Sequence, residues 1–367
     1  MANSDPIFDY DVVIIGAGLI GLSTADSLLT KGLSVCVTDI QNRPMQGTSF
    51  CNSGMIHPSQ SAPWTRLGLD AALRLKAGAD VLSLAKRSAQ LISGKAQALG
   101  LAQTRRAAGC LQIFRSHEDW EAASARCEAL GISYSRRPAG QLFGDKAALF
   151  FEGDSSGNAY EYGQALAVSI AERGADILTG QGAAPWTIDG RVIGVRLGSR
   201  DIRARHTVLA AGMQSQRLAS RAGLALPMKR AAGWAVNYQK PKGLELPDYP
   251  VMESRQCSAL TIFEDTLRLS GTISEPTEDK LIQTWTSLAP ELMAALGQPL
   301  SQPWTAERPV SLTGKPFIGR SALPGLWINT AHGHMGWTLC AGSGDLLADM
   351  IAEGRVDERF SVPDNSS

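Results

Sequence analysis

Residues 12–15 form an unbroken apolar run, Val12-Val13-Ile14-Ile15, that stops at Gly16. A run of that length, bounded by a turn residue, predicts a strand buried on both faces, as in a parallel sheet. The pattern then predicts a helix over Leu22–Lys31 and a second strand over 34–38 that ends at Asp39. Farther on it predicts a long helix over Leu67–Leu99, a strand at 111–114, a helix at 118–130 and a strand at 148–151. A helix over 162–173, a short strand over 176–179, an edge hairpin containing 191–197 and an apolar strand over 207–212 follow. Residues 234–238, 260–263 and 266–270 read as strands, 278–296 as one helix, 325–330 as a strand and 338–351 as a closing helix.

The first strand and helix are joined by Gly16, Gly18 and Gly21 in a G-x-G-x-x-G spacing, and Asp39 stands 23 residues beyond Gly16. Gly16 permits a tight turn, Gly18 admits a pyrophosphate to the helix N-terminus, and Gly21 lets helix and strand pack closely. The acid at the end of the second strand accepts hydrogen bonds from a ribose. A dinucleotide site therefore competes with an ordinary glycine-rich turn, and strand, helix, second strand and acid in order favour the site. The remaining elements suit an α/β nucleotide domain assembled from 1–63, 155–227 and 308–367. A second lobe is inserted twice, as 64–154 and 228–307.

Nicotinamide and flavin enzymes share this fingerprint. Two later segments favour FAD: Gly47 to Gly54, a loop of hydroxyls and backbone N–H groups, and Ala331 to Thr338, which leads straight into an apolar helix. The N-terminus of that helix would put partial positive charge beside a reduced flavin. The alternative is a glycine loop capped by Thr338.

Charge and cysteine content narrow the picture further. The chain has 367 residues, and its 35 basic and 35 acidic side chains balance. Nothing in this balance steers it toward nucleic acid or an anionic membrane. Six scattered cysteines form no CxxC pair, which fits a reduced, cytoplasmic setting without a structural metal. No apolar stretch has the length of a transmembrane segment, while peripheral membrane contact stays open.

At these residues the chain resembles the FAD-dependent D-amino acid oxidase-like family, nearest to its bacterial D-amino acid dehydrogenases. The stretches that carry the resemblance are VVIIGAGLIGLSTADSLLTKG at 12–32, TSFCNSGMIHPSQSAPW at 48–64 and GCLQIFRSHEDWEAA at 109–123. Above all it is carried by ERPVSLTGKPFIGRSALPGLWINTAHGHMGWTLCAGSGDLLADMI at 307–351. The resemblance implies a Rossmann-like FAD domain of glutathione-reductase type with an inserted α+β substrate domain on a mixed sheet. It implies oxidation of the C–N bond of a D-amino acid or small cyclic imino acid by hydride transfer from Cα to flavin N5. The imino acid product then hydrolyses, and the electrons pass to a quinone or another acceptor. Implied FAD contacts are Gly16, Ala17, Gly18, Gly21, Asp39 and Ile40, then Thr48, Ser49, Asn52, Ser53, Gly54 and Met55. Ala211 and Gly212 join them, as do Gly333, His334, Met335, Gly336, Trp337 and Thr338. Arg308, in the family's Arg-Pro motif, would grip the substrate carboxylate. The chain departs from the family in having Ala306-Glu307-Arg308-Pro309 where Gly-x-Arg-Pro is frequent, and in a shortened substrate lobe. Gln256 stands where relatives tend to carry a pocket tyrosine.

Arg308 suits a carboxylate better than Lys315 because its planar fork binds two oxygens at once. His334, close to the flavin, and His57, reaching the pocket, are the titratable candidates. His332 is a third imidazole without an assigned role, and no general base is named. The pair His332 and His334 lacks a neighbouring Cys or acid at metal-ligand spacing. Trp64 and Trp337 are candidates for the pocket wall or for core, and Cys51 for a buried thiol or a flavin link. An oxygen-using glycine, sarcosine or D-amino acid oxidase shares every motif, and a non-catalytic flavoprotein subunit is the rival of another class.

Overall fold

The apolar run at the start of the chain becomes the strand Tyr10–Ile15, in which Val12, Val13 and Ile14 are fully buried. The computed structural model describes residues 8–50, 52–63, 67–101, 109–255, 257–273 and 278–363. The chain folds as two compact units. One comprises Met1–Phe50, Tyr160–Arg230 and Pro309–Ser367, the other Cys51–Ala159 and Ala231–Arg308.

In the first unit the strand order is Phe317–Arg320, Leu326–Thr330, Arg200–Leu209, Tyr10–Ile15, Val35–Asp39 and Asp176–Thr179. The last five strands are parallel, and Phe317–Arg320 closes the edge antiparallel to its neighbour. The antiparallel strands Ala183–Ile188 and Arg191–Leu197 extend from Arg200–Leu209. Helix Leu19–Thr30 starts three residues before the expected Leu22, because Gly18 serves as its N-cap. It packs on the last helix, Gly336–Glu353, so closely that a Cβ at Gly344 would stand 2.7 Å from the Ser23 carbonyl carbon.

The second unit is a mixed sheet of eight strands. Its order is Trp304–Ser311, Met228–Gln239, Thr266–Ile273, Ser258–Phe263, Val251–Glu253, Cys110–Ile113, Ala147–Phe151 and Ser135–Pro138. Only Val251–Glu253 and Cys110–Ile113 pair in parallel among the registers described. Strand alternation divides the two faces. Leu267 and Leu269 stand in register with Tyr238 and Val236 on one side and with Ile262 and Leu260 on the other. That face packs against Trp285, Leu288 and Leu292. Arg268 and Ser270, offset by one residue, face the other way with Asn237, Ala235, Thr261 and Ala259.

Two further helices depart from the sequence reading. The long helix is Ala71–Ala98 and does not start at Leu67, because Asp70 caps it by accepting from the Leu73 N–H at 2.8 Å. The helix expected over 278–296 is two, Glu278–Leu288 and Pro290–Ala295. Pro290 bars its predecessor from helical geometry, and Ala289 sits at φ −140°, ψ 67°.

Candidate functional site

The glycine turn of the first unit is built as its spacing requires. Gly16 has φ +120°, and a Cβ there would lie 2.4 Å from the Ala210 carbonyl oxygen and 2.9 Å from Ala211 Cα. The end of strand Arg200–Leu209 therefore runs directly beside the turn and brings Ala211 and Gly212 to it. A Cβ on Gly21 would sit 1.8 Å from the Gly16 carbonyl oxygen. Gly18 caps the helix without a side chain, and no acid occupies the first turn. Ser49 Oγ accepts from the Leu19 N–H at 3.1 Å, which places the Thr48–Ser49 loop at the same helix end. Asp39 accepts from the Ala17 N–H at 2.6 Å and from the Gln41 N–H at 2.8 Å. Ile40 is 59% exposed.

The late turn joins this group through Thr330, whose hydroxyl donates to the Gly212 carbonyl at 3.3 Å. From there φ alternates in sign, +66° at Ala331, −71° at His332 and +58° at Gly333. Such alternation turns successive N–H groups to one side, a geometry that receives anions. Helix Gly336–Glu353 follows with neither a side-chain cap nor an acid in its first turn. Met335, Trp337 and Thr338 are buried, while Gly333, His334 and Gly336 are half-buried. The Trp337 ring lies 4.9 Å from that of Tyr162.

Two buried ring nitrogens here, His332 Nε2 and Trp337 Nε1, have no hydrogen-bond partner among the described residues. Burial alone drives the His332 imidazole down to about 3, so it is neutral at physiological pH. Buried polar atoms are normally paired. Two orphans beside an uncapped helix N-terminus fit a bound group that carries both phosphates and polar ring edges. His332, which the sequence left without a role, is thus more telling than the half-buried His334. Its i, i+2 relation to His334 gives no clue to which is buried.

The second unit holds the rest of the candidates. Asn52 Oδ1 accepts from the Gly54 N–H at 2.8 Å, and Ser53 Oγ from the Met55 N–H at 3.4 Å. Gly54 has φ +77°, and a Cβ on it would meet the Phe263 ring at 2.2 Å. Arg268, which the sequence reading passed over, pins this turn: Nη1 donates to the Asn52 carbonyl and Nε to Asn237 Oδ1, both at 2.9 Å. Its guanidinium lies over the rings of Phe263 and Trp304, at 4.8 and 5.1 Å. An arginine in an alternating strand was the available signal.

His57 is buried at the start of the short turn Pro58–Gln60. Ser59 donates to the Asp154 carboxyl from its N–H at 3.0 Å and its hydroxyl at 2.5 Å. Gln60 Nε2 reaches Gln112 Oε1 at 3.1 Å. Burial raises the Asp154 carboxyl to about 7, against the pull of the two Ser59 bonds. No motif announces this cluster, since its partners are up to 95 residues apart. Arg308 is half-buried on strand Trp304–Ser311 and donates from Nη1 to Thr272 Oγ1 at 2.6 Å. Lys315 lies past that strand, in the turn after Ser311. Cys51, Trp64 and Gln256 lie outside the described residues. Among the described residues no cluster could hold a metal ion, and no helix is long and apolar enough to cross a membrane.

The family model described as FAD dependent oxidoreductase, DAO, matches residues 11–350. The chain belongs to this family. Its cofactor is FAD, as the glycine turns and the orphaned ring nitrogens fit. A D-amino acid dehydrogenase of Cereibacter sphaeroides is 28% identical over 405 aligned positions, covering 95% of this chain and 92% of the relative. One from Vibrio vulnificus is 26% identical over 399 positions, covering 92% and 95%. Among solved structures, glycine oxidase from Geobacillus kaustophilus matches with a TM-score of 0.78 at 19% identity, covering 96% of this chain and 98% of that one. L-proline dehydrogenase from P. horikoshii matches with 0.79 at 20% identity, covering 96% of each. These structures share the fold.

Proposed function

We propose that this FAD-dependent oxidoreductase oxidises the C–N bond of a D-amino acid or small cyclic imino acid and passes the electrons to a quinone or another acceptor. The observation that carries the reading is Arg308. A half-buried fork on the polar side of the second sheet, bonded to a neutral threonine, is equipped to receive a carboxylate. Support comes from the dehydrogenases that match this chain over nearly their whole lengths.

FAD would be held by Gly16, Ala17, Gly18, Gly21, Asp39 and Ile40, by Thr48 and Ser49 with Asn52–Met55, by Ala211 and Gly212, and by the turn from His332 to Thr338. When bound, FAD supplies the acceptor for two electrons. The chain's own share is binding and orientation. Arg308 fixes the carboxylate and so restricts where Cα stands, and orientation of this kind is a large part of the rate. His57, buried in its turn, would line the substrate side. The substrate nitrogen loses a proton as Cα loses a hydride, and water hydrolyses the imino acid to a 2-oxo acid and ammonia, or opens a cyclic imine.

Anaerobic mixing of the holoenzyme with D-alanine, D-proline, D- and L-hydroxyproline, glycine and sarcosine tests the reading. Bleaching of the flavin by at least one D-amino or cyclic imino acid is expected. Persistent yellow flavin with all of them would favour a non-catalytic flavoprotein subunit. In air, peroxide formed in step with substrate loss would replace the dehydrogenase with an oxidase.

A further inference from the structure

We infer that Gly233 and Thr272 are positioning residues that set the plane of the Arg308 guanidinium, and with it the grip on a substrate carboxylate. The inference rests on Arg308 being the carboxylate anchor. Three neighbouring strands bring the residues into one row. Arg308 lies on Trp304–Ser311, which pairs with Met228–Gln239, and there Gly233 stands opposite Thr272 of Thr266–Ile273.

A glycine inside a strand forgoes packing and costs conformational entropy, so a buried one asks for a local cause. Backbone conformation is not that cause, because Gly233 is absent from the residues with positive φ. A Cβ built on it would stand 2.9 Å from both Cζ and Nη2 of Arg308 and 3.1 Å from Nε. Near-equal distances to three guanidinium atoms put that point over the flat face of the group; approach along its edge would leave Cζ distinctly farther. The fork therefore lies face-down on bare backbone. Thr272 Oγ1, accepting from Nη1 at 2.6 Å, fixes its rotation within that plane. Bidentate binding of a carboxylate depends on the plane of the fork. A methyl at 233 would lift and tilt it, and loss of the threonine oxygen would let it turn.

The test uses Gly233→Ala, Thr272→Val and Arg308→Ala, each alone, with the first two also combined with the third. Half-saturation, limiting rate and FAD content are read from anaerobic flavin reduction by the panel amino acid that bleaches the parent fastest. Gly233→Ala and Thr272→Val are each expected to raise half-saturation about tenfold, with FAD content at the parental level and a smaller loss in limiting rate. Added to Arg308→Ala, neither should raise it further, because both act only through the guanidinium. Unchanged half-saturation in the single variants, or the full increase persisting in the Arg308→Ala background, overturns the inference and leaves the anchor reading standing. Parental half-saturation in Arg308→Ala overturns the anchor reading itself. If Gly233→Ala does not fold, Thr272→Val decides by the same criteria. A crystal structure of the Gly233→Ala holoenzyme supplies a readout independent of turnover: the guanidinium is expected to leave Thr272, and an undisturbed bond overturns the inference.

Discussion

The two sheets carry their candidate sites in different places, and strand chemistry explains the difference. In the first unit the strands Tyr10–Ile15 and Val35–Asp39 are apolar on both faces, with Val12 to Ile14 and Val35 to Val37 fully buried. Such a sheet has no face to offer a ligand. Its candidate residues gather instead in the turns beyond the strand ends, at Gly16–Gly18, Asp39, Gly212 and the turn after Thr330. In the second unit Thr266–Ile273 alternates, with Leu267 and Leu269 in the core and Arg268, Ser270 and Thr272 on the opposite side. There the ligand-binding chemistry can occupy the face itself. A doubly buried sheet binds at its ends by backbone, whereas a two-faced sheet binds on its surface by side chains.

The largest expected effect breaks the first half of this comparison. Gly21→Ala would drive a Cβ into the Gly16 carbonyl oxygen, a backbone atom that cannot step aside without opening the turn. The variant is expected to purify with less than about one tenth of the parental flavin-to-protein ratio; full flavin content would show that close packing there is dispensable. Next comes the core face of the second sheet: Leu269→Ala should cost about 3 kcal/mol in denaturant unfolding, since Leu269 is fully buried. A cost below about 1 kcal/mol would contradict its placement.

Asp154→Asn tests the buried polar cluster. The Asp154 carboxyl is raised from 3.8 to about 7 in the folded protein, so folding favours its protonated form. The stability this contributes is complete below the unfolded value and is lost as pH rises through about 7. The parent should therefore lose about 4 kcal/mol more than Asp154→Asn between pH 4 and pH 9, read by unfolding across that range. Parallel pH profiles would contradict the assignment. The smallest effect is predicted on the polar face. Thr261 Oγ1 is buried with no hydrogen-bond partner among the described residues, so Thr261→Val should change stability by less than about 1 kcal/mol, in either direction. A loss like that of Leu269→Ala would erase the distinction between the two faces.

What could be read from the chain follows the range of each interaction. The first strand, glycine turn and helix were legible because an apolar run and a spacing of glycines are local requirements. Arg308 was legible only through the resemblance. Its partners were not, since Gly233 and Thr272 meet it across strands and nothing near them in the sequence marks the row. His332 and His334 are indistinguishable by composition, and only the fold buries one of them without a partner among the described residues. The helix break at Pro290 was readable in principle, as a proline after Ala289 bars continuation, yet apolar spacing on both sides masks it. Asp154 and Ser59 carried no signal, because one serine and one acid far apart resemble any others.

We propose that the glycine turns of the first unit bind FAD and that Arg308, in the second, captures a carboxylate. Anaerobic flavin reduction of the parent and of Arg308→Ala across a range of amino acid concentrations tests it most directly. Both proteins should keep FAD, with half-saturation about 100-fold higher in the variant, the consequence of removing one partner of a charged hydrogen-bonded pair. Equal half-saturation in the two proteins would contradict the account.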